Sequence, residues 1–176
     1  MDAETLRRIQ APLKDAYRAD PASARATLRA EGSLDPDRLA CRVESPLGPI
    51  EAGLHPMTGG DGSWACSADM LLQALVACAG VTLAAVARAM GIELVGGRVV
   101  AEGDLDFRGT LGVSKEAPVG FADLRLRFEV QPAASVDEAT LATLLRLAER
   151  YCVVYQSLKS PPTASATIAS TVGGGA

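Results

Sequence analysis

The chain has 176 residues, a length typical of a single domain with a substantial core. Apolar residues make up 48% of it, but only three Phe, three Tyr and one Trp are present, so the core must be built from Ala, Leu and Val. A net charge of −4 and the lack of a Lys- and Arg-rich run exclude a nucleic-acid partner, which needs a clustered positive field.

Membrane insertion and export are also disfavoured. The most apolar stretch, 71–87, is interrupted by Gln73, Gly80 and Thr82 and falls short of the roughly 20 apolar residues that span a bilayer. The N-terminus lacks the basic-then-apolar order of a signal peptide. We therefore expect a cytoplasmic protein whose four cysteines are reduced at rest. The sequence has no CxxC motif or Cys/His cluster, and His55 is its only histidine, so zinc sites and histidine-based triads are effectively excluded and we expect no metal.

The first third of the chain predicts a helix followed by strands. Apolar residues three and four apart predict an amphipathic helix at about 3–19, which Pro12 can kink and Pro21 ends. Three short strand-like runs follow, separated by turns rich in Gly and Pro: 23–31, 38–45 and 49–55.

A long helix is predicted over about 67–90. Ser67 is its expected N-cap, Asp69 lies in the first turn where the helix dipole favours a carboxylate, and Gly91 is the expected C-cap. This helix is apolar nearly all round, and a single small sheet can cover only one of its faces. We therefore predict a homodimer in which a second subunit covers the remainder.

The last third predicts two longer strands, a helix and a final strand: 97–109, 119–131, 136–151 and 164–172. The resulting order of elements is typical of the α+β class. We expect one domain over 1–176, with an N-terminal helical region at 1–21 and a frayed Gly-rich tail at 173–176.

Two cysteines stand out by position. Cys78 lies in the middle of the long apolar helix, and Cys152 follows the second predicted helix. Each is either a small core hydrophobe or a reactive thiol, and a separation of 152 − 78 = 74 positions does not decide whether they touch. Cys41 and Cys66 are assigned no role.

Three segments together resemble the OsmC/Ohr family of osmotically inducible protein C and organic hydroperoxide resistance proteins. They are the helix from Asp69 through Cys78 to Leu83, the run Gly91-Ile-Glu-Leu, and Glu149-Arg-Tyr-Cys152. The resemblance extends over most of the chain. It implies an OsmC-like fold with antiparallel sheets around a long central helix. It also implies an intertwined homodimer with interfacial active sites, and thiol peroxidase activity in an oxidative stress response.

By position, Cys78 resembles the peroxidatic cysteine and Cys152 the resolving cysteine of that family. The family's active-site arginine lies on an early strand after a polar turn, and Arg38 fits that place, with Arg42 and Arg29 as alternatives. An ordinary solvated turn residue is the other interpretation of Arg38.

The family's typical acid precedes the cysteine near the helix start, and Asp69 resembles it. This chain has Ser67-Ala-Asp69 where the family often has Pro-x-Glu. Nine residues before Cys78, Asp69 lies about 13.5 Å away along an ideal helix, so it can only grip the arginine or cap the helix. The chain also lacks the proline that follows the second cysteine in many relatives.

The resemblance implies reduction of an alkyl or lipid hydroperoxide through a sulfenic acid and a Cys78–Cys152 disulfide. It implies no bound cofactor and an external dithiol as reductant, which is a lipoyl dithiol in the Ohr branch. The alternative is a non-enzymatic OsmC-like dimer that binds a small apolar ligand or senses redox state. A structural dimer without a ligand is a third interpretation.

Overall fold

A computed structural model of the chain describes residues 1–35 and 37–170. It is an α+β structure, as predicted. The helices are α1 (Ala3–Ala19), α2 (Ser67–Ala89), α3 (Phe107–Thr110), α4 (Glu138–Tyr151) and α5 (Val153–Lys159), with short 3₁₀ turns at Pro21–Ala24 and Pro56–Thr58. The strands are β1 (Gly32–Asp35), β2 (Ala40–Val43), β3 (Ile50–Gly53), β4 (Ala65–Cys66), β5 (Leu94–Asp104) and β6 (Asp123–Pro132).

The strands form two separate sheets. The first sheet has the order β1-β2-β3-β4 and is antiparallel except for the parallel pair β3–β4. The second sheet is the long antiparallel pair β5–β6, with a bulge between Leu94 and Gly96. The second sheet packs directly on α2, whereas the first sheet reaches α2 through β4.

The central helix α2 begins and ends where the sequence indicates, with one correction. Cys66, not Ser67, is the N-cap residue, and it makes no side-chain capping hydrogen bond. At the other end, Gly91 has a φ of 75° and follows the C-cap residue Met90. The Ile92 amide donates to the Ala87 carbonyl and the Gly91 amide to the Arg88 carbonyl, a Schellman motif.

Small side chains set the packing of α2. Its buried residues recur every four positions on one stripe: Leu75, Ala79, Leu83 and Ala87. Ala148 of α4 is fully buried against the lower part of this stripe, beside Leu144. Alanines at the crossing let the two helix backbones approach closely.

Among the described helices, α2 is the one long and apolar enough to cross a bilayer by length and composition. The core helix of a soluble protein passes the same test. In this structure one stripe of α2 is buried, and the helix packs against β5, α4 and α5.

Several sequence predictions are confirmed with shifted ends. The helix at 3–19 is α1, whose N-cap Asp2 accepts from the Thr5 amide, and it continues through Pro12. The predicted elements at 38–45, 49–55, 97–109, 119–131 and 136–151 correspond to β2, β3, β5, β6 and α4. In the predicted strand 97–109, the chain turns after Asp104 into the short helix α3.

Two predicted strands are wrong. Residues 23–31 form the end of a 3₁₀ turn and an irregular segment, and β1 lies in the stretch expected to be a turn. Residues 164–170 have no regular structure, while 171–172 and the tail 173–176 lie outside the described residues. Both segments have suitable residues, but neither pairs with an edge of the described sheets, and a strand exists only by pairing.

The packing of α4 predicts that two adjacent leucines contribute very differently to the free energy of unfolding. Leu144→Ala should lower the free energy of unfolding by about 2–5 kcal/mol, because it leaves a cavity at a side chain that is 2% exposed. Leu145→Ala should cost less than about 1.5 kcal/mol, because that side chain is 42% exposed. Urea denaturation of both variants measures the difference, and equal costs would contradict the assigned core.

Candidate active site

The structure brings Cys78 and Cys152 together. Cys78 projects from the middle of α2, and Cys152 lies at the junction of α4 and α5. Cys78 packs against the buried cluster that Cys152 forms with Leu75 and Ala79 of α2. Cys152 is 1% exposed and Cys78 is partly buried, and both are free thiols.

The junction at Cys152 is a sharp break between two helices. Its backbone is extended, with φ −77° and ψ 107°, so it ends α4 and begins α5 at once. The Tyr155 amide donates to the Cys152 sulfur at 3.4 Å, and the Gln156 side chain donates to the Glu149 carbonyl at 2.8 Å. These bonds fix α5 against α4 and hold its first amides beside the thiols.

Four groups act on the Cys78 sulfur. Burial raises the pKa of the Cys78 thiol, but hydrogen bonds from the amides of Val154 and Val153, the Cys152 thiol and the Thr82 hydroxyl lower it. The balance leaves the pKa of Cys78 below that of an ordinary thiol. None of these groups carries a positive charge.

The absence of a proline after Cys152 has a chemical consequence. Proline has no amide hydrogen, so a Cys-Pro sequence could not supply the donor that Val153 offers to Cys78. In this chain the departure from the family pattern adds a hydrogen bond to the thiolate. Helix α5 was not predicted, although its apolar residues Val154, Tyr155 and Leu158 have helical spacing and Pro161 follows its end.

The pKa of the Cys152 thiol shifts the opposite way. Burial raises it, and proximity to Cys78 raises it further, while the amides of Tyr155 and Val154 lower it by less. Cys78 is thus the thiol that ionises first, and Cys152 keeps its proton and donates it toward the Cys78 sulfur. Because of this difference in pKa, Cys78 is the more readily formed thiolate and Cys152 the thiol that stays protonated.

Arg38 lies apart from the thiols, in the β1–β2 connection of the first sheet. Its guanidinium pairs with Asp35, lies 3.8 Å from Glu51 and sits 5.6 Å over the Trp64 ring. The side chain remains 53% exposed. Arg42 also pairs with Glu51 and with Glu44.

The backbone beside Arg38 is strained. Leu39 has a φ of 50°, in the left-handed region that leucine rarely adopts, and its side chain is 71% exposed. Strain of this kind persists where surrounding structure imposes it, and it clusters at functional sites. The third arginine considered, Arg29, lies in the irregular segment before β1 and pairs with Glu31.

Asp69 does not reach the thiols either. It is exposed in the first turn of α2, and it forms no ion pair with any residue in 1–35 or 37–170. The structure therefore groups the four proposed site residues into one contacting pair, Cys78 with Cys152, and two separate side chains. The donors missed by sequence reasoning are Thr82 and the amides of α5. The residues missed around Arg38 are Asp35, Glu51 and Trp64.

The family model described as OsmC-like protein matches residues 60–167, which is more than half of the chain. The chain belongs to the OsmC-like family. The matched region includes both thiols and Asp69 but begins after Arg38. Comparison with curated protein sequences gives no significant match.

Solved structures share the fold at low sequence identity. The OsmC-like protein of Mycoplasma pneumoniae has a TM-score of 0.63 at 16% identity, covering 77% of this chain and 89% of that one. An OsmC-like protein of unknown function from Vibrio cholerae has a TM-score of 0.61 at 15% identity, covering 76% and 94%. The organic hydroperoxide resistance protein OsmC of Legionella pneumophila has a TM-score of 0.56 at 17% identity, covering 77% and 93%.

The hydrogen bonds around Cys78 predict how its reactivity depends on pH. Because the thiolate is the reactive form, alkylation of Cys78 should rise with pH through a midpoint below that of an ordinary cysteine. Thr82→Val removes one donor, so the midpoint should move upward and alkylation at neutral pH should slow. Mass spectrometry of the iodoacetamide-treated Cys78 peptide measures both profiles.

The matched control is Thr27→Val, an exposed threonine in the irregular segment before β1. It should leave the profile unchanged. A midpoint that is the same in Thr82→Val and in the original protein would show that the hydroxyl does not stabilise the thiolate.

Proposed function

We propose that the protein is a cysteine-based peroxidase that reduces organic hydroperoxides. The observation that carries this proposal is the contact between Cys78 and Cys152, residues 74 positions apart in the sequence with oppositely shifted pKa values. A pair of free thiols, Cys152 buried and Cys78 partly buried, of which Cys78 is the more acidic, suits a cycle between dithiol and disulfide. Family membership and the hydroperoxide resistance proteins among the structural neighbours support the same activity.

The first step uses the lower pKa of Cys78. Its thiolate attacks the terminal oxygen of ROOH, a sulfur–oxygen bond forms, and the oxygen–oxygen bond breaks. The sulfur is oxidised to sulfenic acid, and the alkoxide takes up a proton and leaves as the alcohol ROH. The donors that stabilise the Cys78 thiolate lie in an apolar setting, in which each hydrogen bond is stronger than in water.

The second step uses the proton retained on Cys152. Its sulfur attacks the sulfenic sulfur of Cys78, the disulfide forms and water leaves, which prevents oxidation to the sulfinic acid. An external dithiol then reduces the disulfide and is itself oxidised to a disulfide. A lipoyl dithiol in the cytoplasm is the reductant that the family resemblance implies.

We expect the positive charge near Cys78 to come from a second subunit. In the protomer, α2 leaves a face of small apolar residues exposed, with Val81 74% exposed at its centre. The first sheet also contacts little of the rest of the protomer. An intertwined homodimer would cover α2 and carry the partner subunit's Arg38 toward Cys78.

In that arrangement Asp35, Glu51 and Trp64 hold the guanidinium as it approaches the thiolate. Arg38 would then lower the pKa of Cys78 further and stabilise the charge that develops on the leaving oxygen. Asp69 is exposed at the start of α2 and, in this proposal, would bind the same arginine from the other subunit.

One equivalent of cumene hydroperoxide tests the activity. Without reductant, the protein should lose the mass of two hydrogen atoms as the Cys78–Cys152 bridge forms, and with excess dithiol it should consume further peroxide. Cys78→Ser should abolish both, and Cys152→Ser should accumulate over-oxidised Cys78. Cys66→Ser is the control and should bridge normally. Peroxide left unconsumed with excess dithiol would favour the alternative, a dimer that binds an apolar ligand without catalysis.

A mixing experiment tests whether Arg38 acts across the interface. Cys78→Ser and Arg38→Ala should each be nearly inactive. After subunit exchange of an equal mixture, about a quarter of the original activity should return, because half the dimers are mixed and each has one complete site. No recovery in mixed dimers, verified by tagging one variant, would place the arginine in the same subunit or remove it from the mechanism.

A further inference from the structure

An apolar pocket lies beside the cluster that contains the two thiols. Its volume is about 210 Å³, smaller than the sites that enclose whole small molecules, so it fits a chain of several carbons rather than a complete ligand. Its wall residues come from α2, β6 and α5: Leu75, Leu124, Leu126, Tyr155, Leu158 and Lys159. Four of them also belong to the cluster that packs around Cys78 and Cys152, so pocket and thiols share a wall.

Lys159 supplies the only charge on this wall. It is the last residue of α5, and its ammonium lies 5.7 Å over the Tyr155 ring. It forms no ion pair with any residue that the structure describes. Lysine at a helix C-terminus also suits the helix dipole, but that role does not require a position on an apolar pocket.

The length of α5 sets the separation between the start of the helix, near Cys78, and Lys159 at its end. The first amides of α5 lie near enough to Cys78 to lower the pKa of its thiol, and Lys159 follows Val154 by five residues, a rise of about 7.5 Å along the helix. This rise is comparable to the length of a medium-length alkyl chain.

We propose that Lys159 binds a carboxylate at the far end of the hydroperoxide substrate, whose alkyl chain fills the pocket. The preferred substrates are then acidic hydroperoxides with several carbons between peroxide and carboxylate. This inference rests on the proposed peroxidase function. The net charge of −4 repels anions in general, so a preference for an anionic substrate requires a local cation of this kind.

The test compares ω-hydroperoxyoctanoic acid with its methyl ester, which differ in charge but hardly in shape. For the original protein, kcat/KM for the acid should exceed that for the ester by about threefold to tenfold, as one ion pair at the edge of an apolar pocket provides. The excess should shrink at high salt. Lys159→Met should bring the ratio to about one and Lys159→Glu below it, whereas the control Lys115→Met should leave the ratio unchanged.

The outcomes separate the two proposals. Turnover of cumene hydroperoxide combined with equal kcat/KM values for acid and ester would overturn the role of Lys159 and leave the peroxidase proposal standing. An acid preference that persists in Lys159→Met would also overturn it. No turnover of cumene hydroperoxide by the original protein would overturn the peroxidase proposal and this inference with it.

Discussion

The close approach of α2 to the α4–α5 corner is the constraint on which the candidate site depends. Ala79 and Ala148 are completely buried, and alanines at such positions keep the helix axes close. Because Cys152 directly follows α4, the position of α4 determines where the second sulfur lies. A larger side chain at the crossing would separate the helices and with them the two thiols. Helix packing therefore determines whether the two thiols lie close enough to react with each other.

Local backbone then differentiates two chemically identical side chains. Cys78 receives amides from the start of α5 and a hydroxyl from its own helix, whereas Cys152 is more deeply enclosed and adjoins the sulfur that ionises first. A seven-residue helix suffices for this because it begins at Cys152 itself. The valine that replaces the common proline takes part in the arrangement, so this departure from the family pattern is compatible with a working thiol pair.

Much of this arrangement could be predicted from the sequence. The periodicity of α1, α2, α4 and β6 is strong, and the family resemblance named both thiols, because these signals are local or carried by motifs. The strand expected at 164–172 could not be assigned correctly, since strand formation depends on a partner that periodicity does not reveal. The residues that contact Arg38 could not be predicted for a similar reason. Arg38 contacts Asp35, Glu51 and Trp64 only after the first sheet has formed. No spacing in the sequence indicates these contacts.

The small interior of the protomer has a consequence for how the protein behaves on dilution. Among the described residues only eight hydrophobic side chains are buried, half of them alanine. In the proposed homodimer, association would bury further apolar surface and contribute to the folding free energy, and mass action would then tie the thermal midpoint to protein concentration. For the proposed dimeric peroxidase, folding, assembly and turnover would then rise and fall together, and unpaired chains at low abundance would be both inactive and open to proteolysis.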